Sequence, residues 1–374
     1  MKIEPFTIAV PEATLDDLRR RLANTRWPDD GAGWEYGTAL PYMKDLVDYW
    51  QHRYDWRRHE AALNTFAHFR TEVDGVGIHF IHERSRGPDP TPLLLLHGWP
   101  DSFYRYHRVI PMLTDPARFG GDPADSFDVV VPSIPGQGFS DRKPMNTDDI
   151  ADLFAGLMID GLGYEKFVAA GGDAGTLIAQ SLADRHADAL IGIHLTDVGY
   201  PDQTTDFSTL TEPEIEFANY IGQWWMNEGA FNMVQSTKPQ SLAYGLADSP
   251  AGLAAWIMSF MASGTTGEEL ETRFSRDELL TNITIYWVTQ TIGSSLRRYY
   301  LDAHAPSHPW QRTPVPAAVA HPPRDAPLPR EWAERRVNLE HFTELPRGGH
   351  FAAWEEPLLY AGDVREFVGK LRNP

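Results

Sequence analysis

One carboxylate carries most of the chemistry legible in this chain. Asp173 stands at the centre of Gly171-Gly172-Asp173-Ala174-Gly175, after the apolar run Phe167-Val168-Ala169-Ala170 and before the helix-like stretch Thr176-Leu177-Ile178-Ala179-Gln180-Ser181-Leu182-Ala183. A strand, a sharp turn and a helix arranged so form a nucleophile elbow. Small residues two places before and after the centre let the backbone turn tightly and hold the central side chain in a strained, exposed position. Most such elbows carry Ser. A carboxylate in that place attacks a carbon and becomes an ester, so the expected reaction is displacement at an alkyl centre.

An elbow of this kind belongs to the α/β-hydrolase fold, where the chain order is nucleophile, acid, His. Of the 14 His, His350 has the right context: Arg347-Gly348-Gly349-His350-Phe351 follows the strand-like Phe342-Thr343-Glu344-Leu345. It would take a proton from water while the acid fixes its tautomer. Asp325, in His321-Pro322-Pro323-Arg324-Asp325, follows the strand-like stretch 315–320 and is the preferred acid. Its rivals Glu331, Glu334 and Glu340 lie in a charge-rich stretch that reads as a solvated face. An oxyanion hole needs two backbone amides, one after the nucleophile and one after the first buried strand. Those are Ala174 and, in His97-Gly98-Trp99-Pro100, Trp99.

Residues 1–90 read as helices at 11–22, 42–54 and 57–69, the first with Thr14 as cap, followed by a hairpin about Asp74-Gly75. Trp27, Trp34, Trp50 and Trp56 would pin this N-terminal meander to the main body. Apolar runs at 93–96, 127–132, 167–170 and 190–195 alternate with helical stretches such as 103–113, as in a parallel, doubly wound sheet. The alternation stops over 201–312, which reads as helices at 212–231, 252–262 and 276–300 and as a cap inserted into the sheet domain. It resumes in 313–374, closing with an amphipathic helix at 358–371. The expectation is a mostly parallel eight-stranded sheet: core in 91–200 and 313–374, cap in 201–312, meander in 1–90.

The 374 residues suit one large α/β domain with insertions, or two domains. A net charge of −19 argues against nucleic acid or an anionic membrane as partner. Without Cys there is neither thiol catalysis nor a disulfide scaffold. No signal peptide or membrane span is visible, so a cytoplasmic protein is expected. Only six of the 33 basic residues are Lys, a bias that fits a GC-rich bacterial genome. A homodimer is left open.

The chain resembles the epoxide hydrolases of the microsomal type over nearly its full length. The resemblance runs from the stretch 6–28 through His97-Gly98-Trp99-Pro100, Pro135-Gly136-Gln137-Gly138-Phe139-Ser140 and the elbow. It continues through Ser236-Thr237-Lys238-Pro239-Gln240, Asp248-Ser249-Pro250 and Ile285-Tyr286-Trp287 to Arg347-Gly348-Gly349-His350-Phe351-Ala352-Ala353. It implies opening of an epoxide to a vicinal diol through an alkyl–Asp173 ester, with no metal or organic cofactor and only substrate and water as partners. The family's acid lies about ten residues past a Val-Pro pair, which Val315-Pro316 and Asp325 match. Two family tyrosines hydrogen-bond the epoxide oxygen. Ser294-Ser295-Leu296-Arg297-Arg298-Tyr299 places one at Tyr299, with Tyr300 as fallback. The other position holds Phe231, so either one tyrosine suffices or Tyr220, Tyr244 or Tyr286 substitutes. Ala174 stands where the family usually has Trp, removing on the order of 200 Å² of aromatic wall. Phe231, Pro100, Trp225, Tyr300 and Phe351 are the expected pocket residues, and a bulky epoxide, polycyclic for example, the expected substrate. Secondary metabolism, detoxification and catabolism are all open as its setting. The rival readings are a haloalkane dehalogenase-like hydrolase, disfavoured by Ala174, and a non-catalytic ligand-binding homologue.

Overall fold

A computed structural model describes residues 1–202, 204–262, 267–306 and 312–372. Its sheet has nine strands: β1 (Glu4–Pro5), β2 (His68–Val73), β3 (Val76–Glu83), β4 (Thr91–Leu96), β5 (Phe127–Pro132), β6 (Phe167–Gly171), β7 (Leu190–Leu195), β8 (Pro316–His321) and β9 (Asn338–Glu344). They lie in the order β1-β2-β3-β5-β4-β6-β7-β8-β9. From β5 to β9 all neighbours are parallel, and β1, β2 and β3 pair antiparallel. The strand beyond the expected eight is β1, whose two residues are too short to show a period. The β2–β3 hairpin turns at Asp74 and Gly75 with φ of 49° and 73°, as a tight two-residue turn requires.

The four-leucine run of β4 is apolar throughout because both sheet faces are covered. Leu93 and Leu95 pack into a core shared with the N-terminal helices Glu12–Ala23, Leu40–His52 and Trp56–Leu63 and the C-terminal helix Pro357–Arg372. Leu94 and Leu96 pack into a second core against Thr147–Gly156 and Ala174–Arg185. Trp50 and Trp56 are buried, but Trp27 is at the surface. Trp50 Nε1 donates to the Thr284 hydroxyl at 3.2 Å, and Tyr49 donates to Asp277 at 2.9 Å.

Several helices differ from their sequence patterns. Thr14 lies inside its helix, whose N-cap is Pro11. The helix expected at 57–69 stops at Leu63 because 68–73 is recruited into the hairpin. The stretch 103–113 divides into a single turn at Phe103–Tyr106 and the helix Val109–Thr114. Between β7 and β8 run the helices Glu212–Glu228, Ala230–Thr237, Pro239–Asp248, Pro250–Met261, Gly267–Glu271, Arg276–Thr289 and Ile292–His304. The expected helix 276–300 breaks at Gln290, whose φ of 53° is left-handed and ends the first helix. Among the described residues no helix is long and apolar enough to cross a membrane.

β4 and β6 are adjacent and parallel, with Leu96 opposite Gly171, so the loops after both strands emerge at one point. The helix after β6 starts hard against β4: a Cβ built on Gly175 would lie 2.0 Å from the Leu96 carbonyl oxygen. Gly175→Ala must push these elements apart. It is expected to lower the unfolding free energy by about 2 kcal/mol or more, read from the shift of a denaturation midpoint. An unchanged midpoint would show that the elbow tolerates displacement.

Candidate active site

At the end of β6 the chain turns through Asp173 with φ 58° and ψ −126°, a conformation rare outside glycine. The turn aims its carboxylate across the β4 loop. Oδ1 accepts the Trp99 amide at 2.9 Å and the Ala174 amide at 2.5 Å. These are the two amides expected to form the oxyanion hole. Oδ2 faces His350 Nε2 at 3.3 Å, and His350 Nδ1 faces Asp325 Oδ2 at 3.0 Å. The three residues come from the loops after β6, β8 and β9. Glu331, Glu334 and Glu340 are exposed and take no part.

The neighbours fix the ionisation. Burial alone would raise the Asp173 carboxyl, but hydrogen bonding and charge from His350, with the Ala174 and Trp99 amides, hold it at about 2. Burial opposes charge on His350, yet the Asp325 and Asp173 carboxylates raise its pKa well above the usual value. Asp325 is lowered: the His350 charge and an Ala326 N–H at 2.9 Å outweigh burial. Both carboxylates thus favour the imidazolium form of His350 between them.

A second layer escaped the sequence reading. Arg105 is buried, pairs with Asp101 at 2.6 Å and donates to the His350 carbonyl at 2.8 Å. Asp101 accepts the Gly98 amide at 2.7 Å, which sets the turn that presents Trp99. Arg105 therefore connects the oxyanion loop to the His350 loop. An Asp and an Arg four residues apart, straight after His97-Gly98-Trp99-Pro100, were the available signal.

Tyr299 sits on Ile292–His304, which Ser294 and Ser295 lock to the core: Ser294 donates to the Gly136 carbonyl at 2.6 Å, and Ser295 accepts the Trp99 indole N–H at 3.1 Å. The Arg298 guanidinium lies 5.0 Å from the Tyr299 ring centre and pairs with Asp302 at 2.7 Å. Burial and the Asp173 charge push the Tyr299 phenol upward, so it stays protonated. Around it lies an aromatic box. The Trp99 ring is 5.8 Å from Tyr299, 6.1 Å from Phe231 and 4.8 Å from Phe260; Phe231 is 6.1 Å from Tyr299 and 6.3 Å from Trp225. Phe260 was not anticipated.

The other expected pocket residues divide. Pro100 is buried in the loop beside Trp99, its carbonyl accepting from Asn282 at 2.8 Å. Tyr300 does not join the box: it is 41 % exposed and stacks on His304. Phe351 is buried under Arg105 and against Phe274, away from the box. None of the candidate second tyrosines is free in the box. Tyr286 donates to the Asp101 carbonyl at 2.7 Å and has the Gln137 amide 2.9 Å away, while Tyr220 and Tyr244 are exposed. Ala174 is buried, at 2 % exposure.

Residues 3–106 match the family model described as epoxide hydrolase N terminus, and residues 91–357 match the alpha/beta hydrolase fold. A Stigmatella aurantiaca protein assigned to the epoxide hydrolases is 43 % identical over 99 % of this chain and 86 % of its own length. Epoxide hydrolase 1 of Oryctolagus cuniculus is 35 % identical over 98 % of this chain and 89 % of its own. The crystal structure of juvenile hormone epoxide hydrolase from Bombyx mori superposes with a TM-score of 0.85 at 29 % identity, covering 99 % of this chain and 94 % of that one. With an α/β-hydrolase sheet and relatives of this identity along its whole length, the chain belongs to the epoxide hydrolase family of hydrolase enzymes.

Proposed function

We propose that this enzyme opens an epoxide to a vicinal diol through a covalent ester on Asp173, and that the pocket takes a bulky hydrophobic epoxide. The placement of the Asp173 carboxylate carries the mechanism: one oxygen lies against two amides and the other against His350. Held at about 2, the carboxylate is ionised at any working pH. Oδ2 attacks an epoxide carbon in line, and the carbon–oxygen bond breaks as Tyr299 gives its phenolic proton to the departing oxygen. The products are an ester and a β-hydroxyl, with Tyr299 left as phenolate.

Ester formation removes the Asp173 charge and with it one of the two carboxylates stabilising the imidazolium. His350 becomes less basic, and its proton passes through solvent to restore the phenol. Neutral His350, oriented by Asp325, then takes a proton from water as that water attacks the ester carbonyl carbon. Negative charge develops on Oδ1, already between the Trp99 and Ala174 amides. Each such donor is worth roughly 3 kcal/mol in comparable sites. Collapse of the intermediate breaks the bond between the carbonyl carbon and the alkyl oxygen, His350 returns the proton to that oxygen, the Asp173 acid passes its remaining proton to His350, and the diol leaves with the carboxylate and imidazolium restored.

The helical segment 201–312 is proposed to act as the cap, supplying Tyr299 and the apolar wall, with 1–90 as a meander around a core of 91–200 and 313–374. The aromatic box supports an aryl or polycyclic substrate, because stacked and edge-on rings recognise other rings. Halide release is disfavoured further, since the Trp99 indole N–H is taken up by Ser295.

In single turnover in ¹⁸O-water, label should enter the Asp173 carboxylate and reach diol only in later turnovers. Asp173→Asn should lose more than about a thousandfold in turnover. Direct labelling of diol in the first turnover, or an Asn variant at full rate, disproves the ester. Tyr299→Phe should slow ester formation by roughly a hundredfold or more while leaving ester breakdown near the parent rate. Phe231→Tyr should accelerate ester formation by adding a second donor. A Tyr299→Phe variant unchanged in ester formation would remove Tyr299 from the mechanism.

A further inference from the structure

β7 lies between β6 and β8, so a side chain just past its end falls between the loops that carry Asp173 and Asp325. That residue is Asp197. Its Oδ2 accepts the Asp173 amide at 3.3 Å and the Thr176 hydroxyl at 3.1 Å, and its Oδ1 accepts the Gly199 amide at 3.2 Å. Asp197 and Asp325 line one small cavity, together with Tyr200, Phe217, His321 and Leu328. The titratable and charged groups facing it are Asp173 from the elbow, His321 and Asp325 from β8 and its loop, His350 from the loop after β9, and Tyr200 from its own loop. Arg336 donates to the adjacent Val198 carbonyl at 3.4 Å, and Arg105 packs beside Gly172 and Thr196. Neither forms an ion pair with Asp197 among the described residues. A carboxyl held by neutral donors alone, beside two other carboxylates, is destabilising where it stands.

We propose that Asp197 is a positioning residue: it braces the strained Asp173 backbone from behind, and its charge sets how readily His350 gives up its proton during ester hydrolysis. Ionised Asp197 favours the imidazolium, which is inactive as a base. Protonated Asp197 relieves that bias. Burial, then the Asp325 charge, push its carboxyl up to about 6, so it takes up a proton as the medium acidifies and helps keep His350 neutral. The proposal presupposes the Asp173 ester put forward above.

The test separates the two chemical steps by rapid quench and intact mass, with styrene oxide as probe. Asp197→Asn keeps an acceptor for the Asp173 amide, so ester formation should stay within about threefold of the parent. Its charge is gone, so the acidic limb of ester breakdown should move to lower pH by roughly half a unit or more. Asp197→Ala lacks the acceptor and should slow ester formation by about tenfold. The stability readout has a definite sign. The folded carboxyl binds its proton more tightly than the unfolded one, so wild-type stability falls as pH rises from the ordinary 3.8 through about 6. Asp197→Asn should therefore melt higher than wild type at mildly alkaline pH, with the advantage shrinking on acidification. An unmoved acidic limb, or a variant melting lower at every pH, overturns the proposal. Should the amide not be accommodated, Asp197→Ser must move the limb in the same direction or the proposal fails. Absence of any ester in the parent enzyme overturns the mechanism itself, whereas ester with an unmoved limb overturns only the role of Asp197.

Discussion

The site depends on one close approach: the first turn of Ala174–Arg185 lies against the end of β4. Because Gly175 has no side chain, the helix can start there, and Asp173 is forced into a left-handed turn with its carboxylate pointing over the β4 loop. That conformation persists because its surroundings over-determine it. Two amides hold one carboxylate oxygen, an imidazole faces the other, and the Asp197 carboxylate takes the Asp173 amide. Strain and preorganisation are the same feature here. In the proposed mechanism the oxygen that would bear negative charge during ester hydrolysis is already between its donors before substrate arrives, so little reorganisation is left for the reaction.

Sheet order then determines which charges meet. β6, β7 and β8 are consecutive neighbours, and the loops after them present Asp173, Asp197 and Asp325, with His350 arriving from β9. Carboxylates so close raise one another's proton affinity, and the shared imidazolium offsets this. The compensation is unequal: Asp173 and Asp325 each touch the imidazole and are lowered, whereas Asp197 touches only neutral donors and is raised. Arg105 adds a buried positive charge, but it bonds the His350 carbonyl and Asp101, so it orders loops and leaves the catalytic carboxylates to the imidazole.

The parts of the site built on short local patterns were legible in the sequence. The elbow, the Gly-flanked His350 loop, the His97-Gly98-Trp99-Pro100 loop and Asp325 are each strand-plus-turn signals, in which residue type and backbone shape constrain each other. What could not be read was tertiary. Gln290 in the middle of a helical pattern carries no breaker composition, yet its left-handed backbone splits the helix so that Ser294, Ser295 and Tyr299 can dock on the core. β1 has two residues and no period. Tyr300 and Tyr299 differ in sequence by one position, and only the helix's rotation against the core decides which faces Trp99 and which faces solvent. Asp197 follows an unremarkable strand, and its meaning lies wholly in what its neighbours in the sheet carry.

The two sides of the site obey different physics. On the sheet side the Asp173, His350 and Asp325 side chains each have partners and a fixed direction. On the helical side Phe231, Phe260 and Tyr299 close with Trp99 of the β4 loop into a wall in which the one hydroxyl belongs to Tyr299. In the proposed reaction a wall with a single donor would not hold an epoxide oxygen by bracketing it, so the oxygen's position would come from how the rest of the substrate fits the rings. Orientation is thereby shifted from hydrogen bonding to shape. An isolated phenol in apolar surroundings is also a poor acid, because burial and the Asp173 charge both oppose its ionisation. In the proposed mechanism proton transfer would therefore become favourable only as the carbon–oxygen bond lengthens and the Asp173 charge is consumed, coupling departure of the oxygen to arrival of the carboxylate. In that mechanism Phe231 would make the coupling stricter than a second tyrosine, since among the described residues of this wall only Tyr299 offers a hydroxyl.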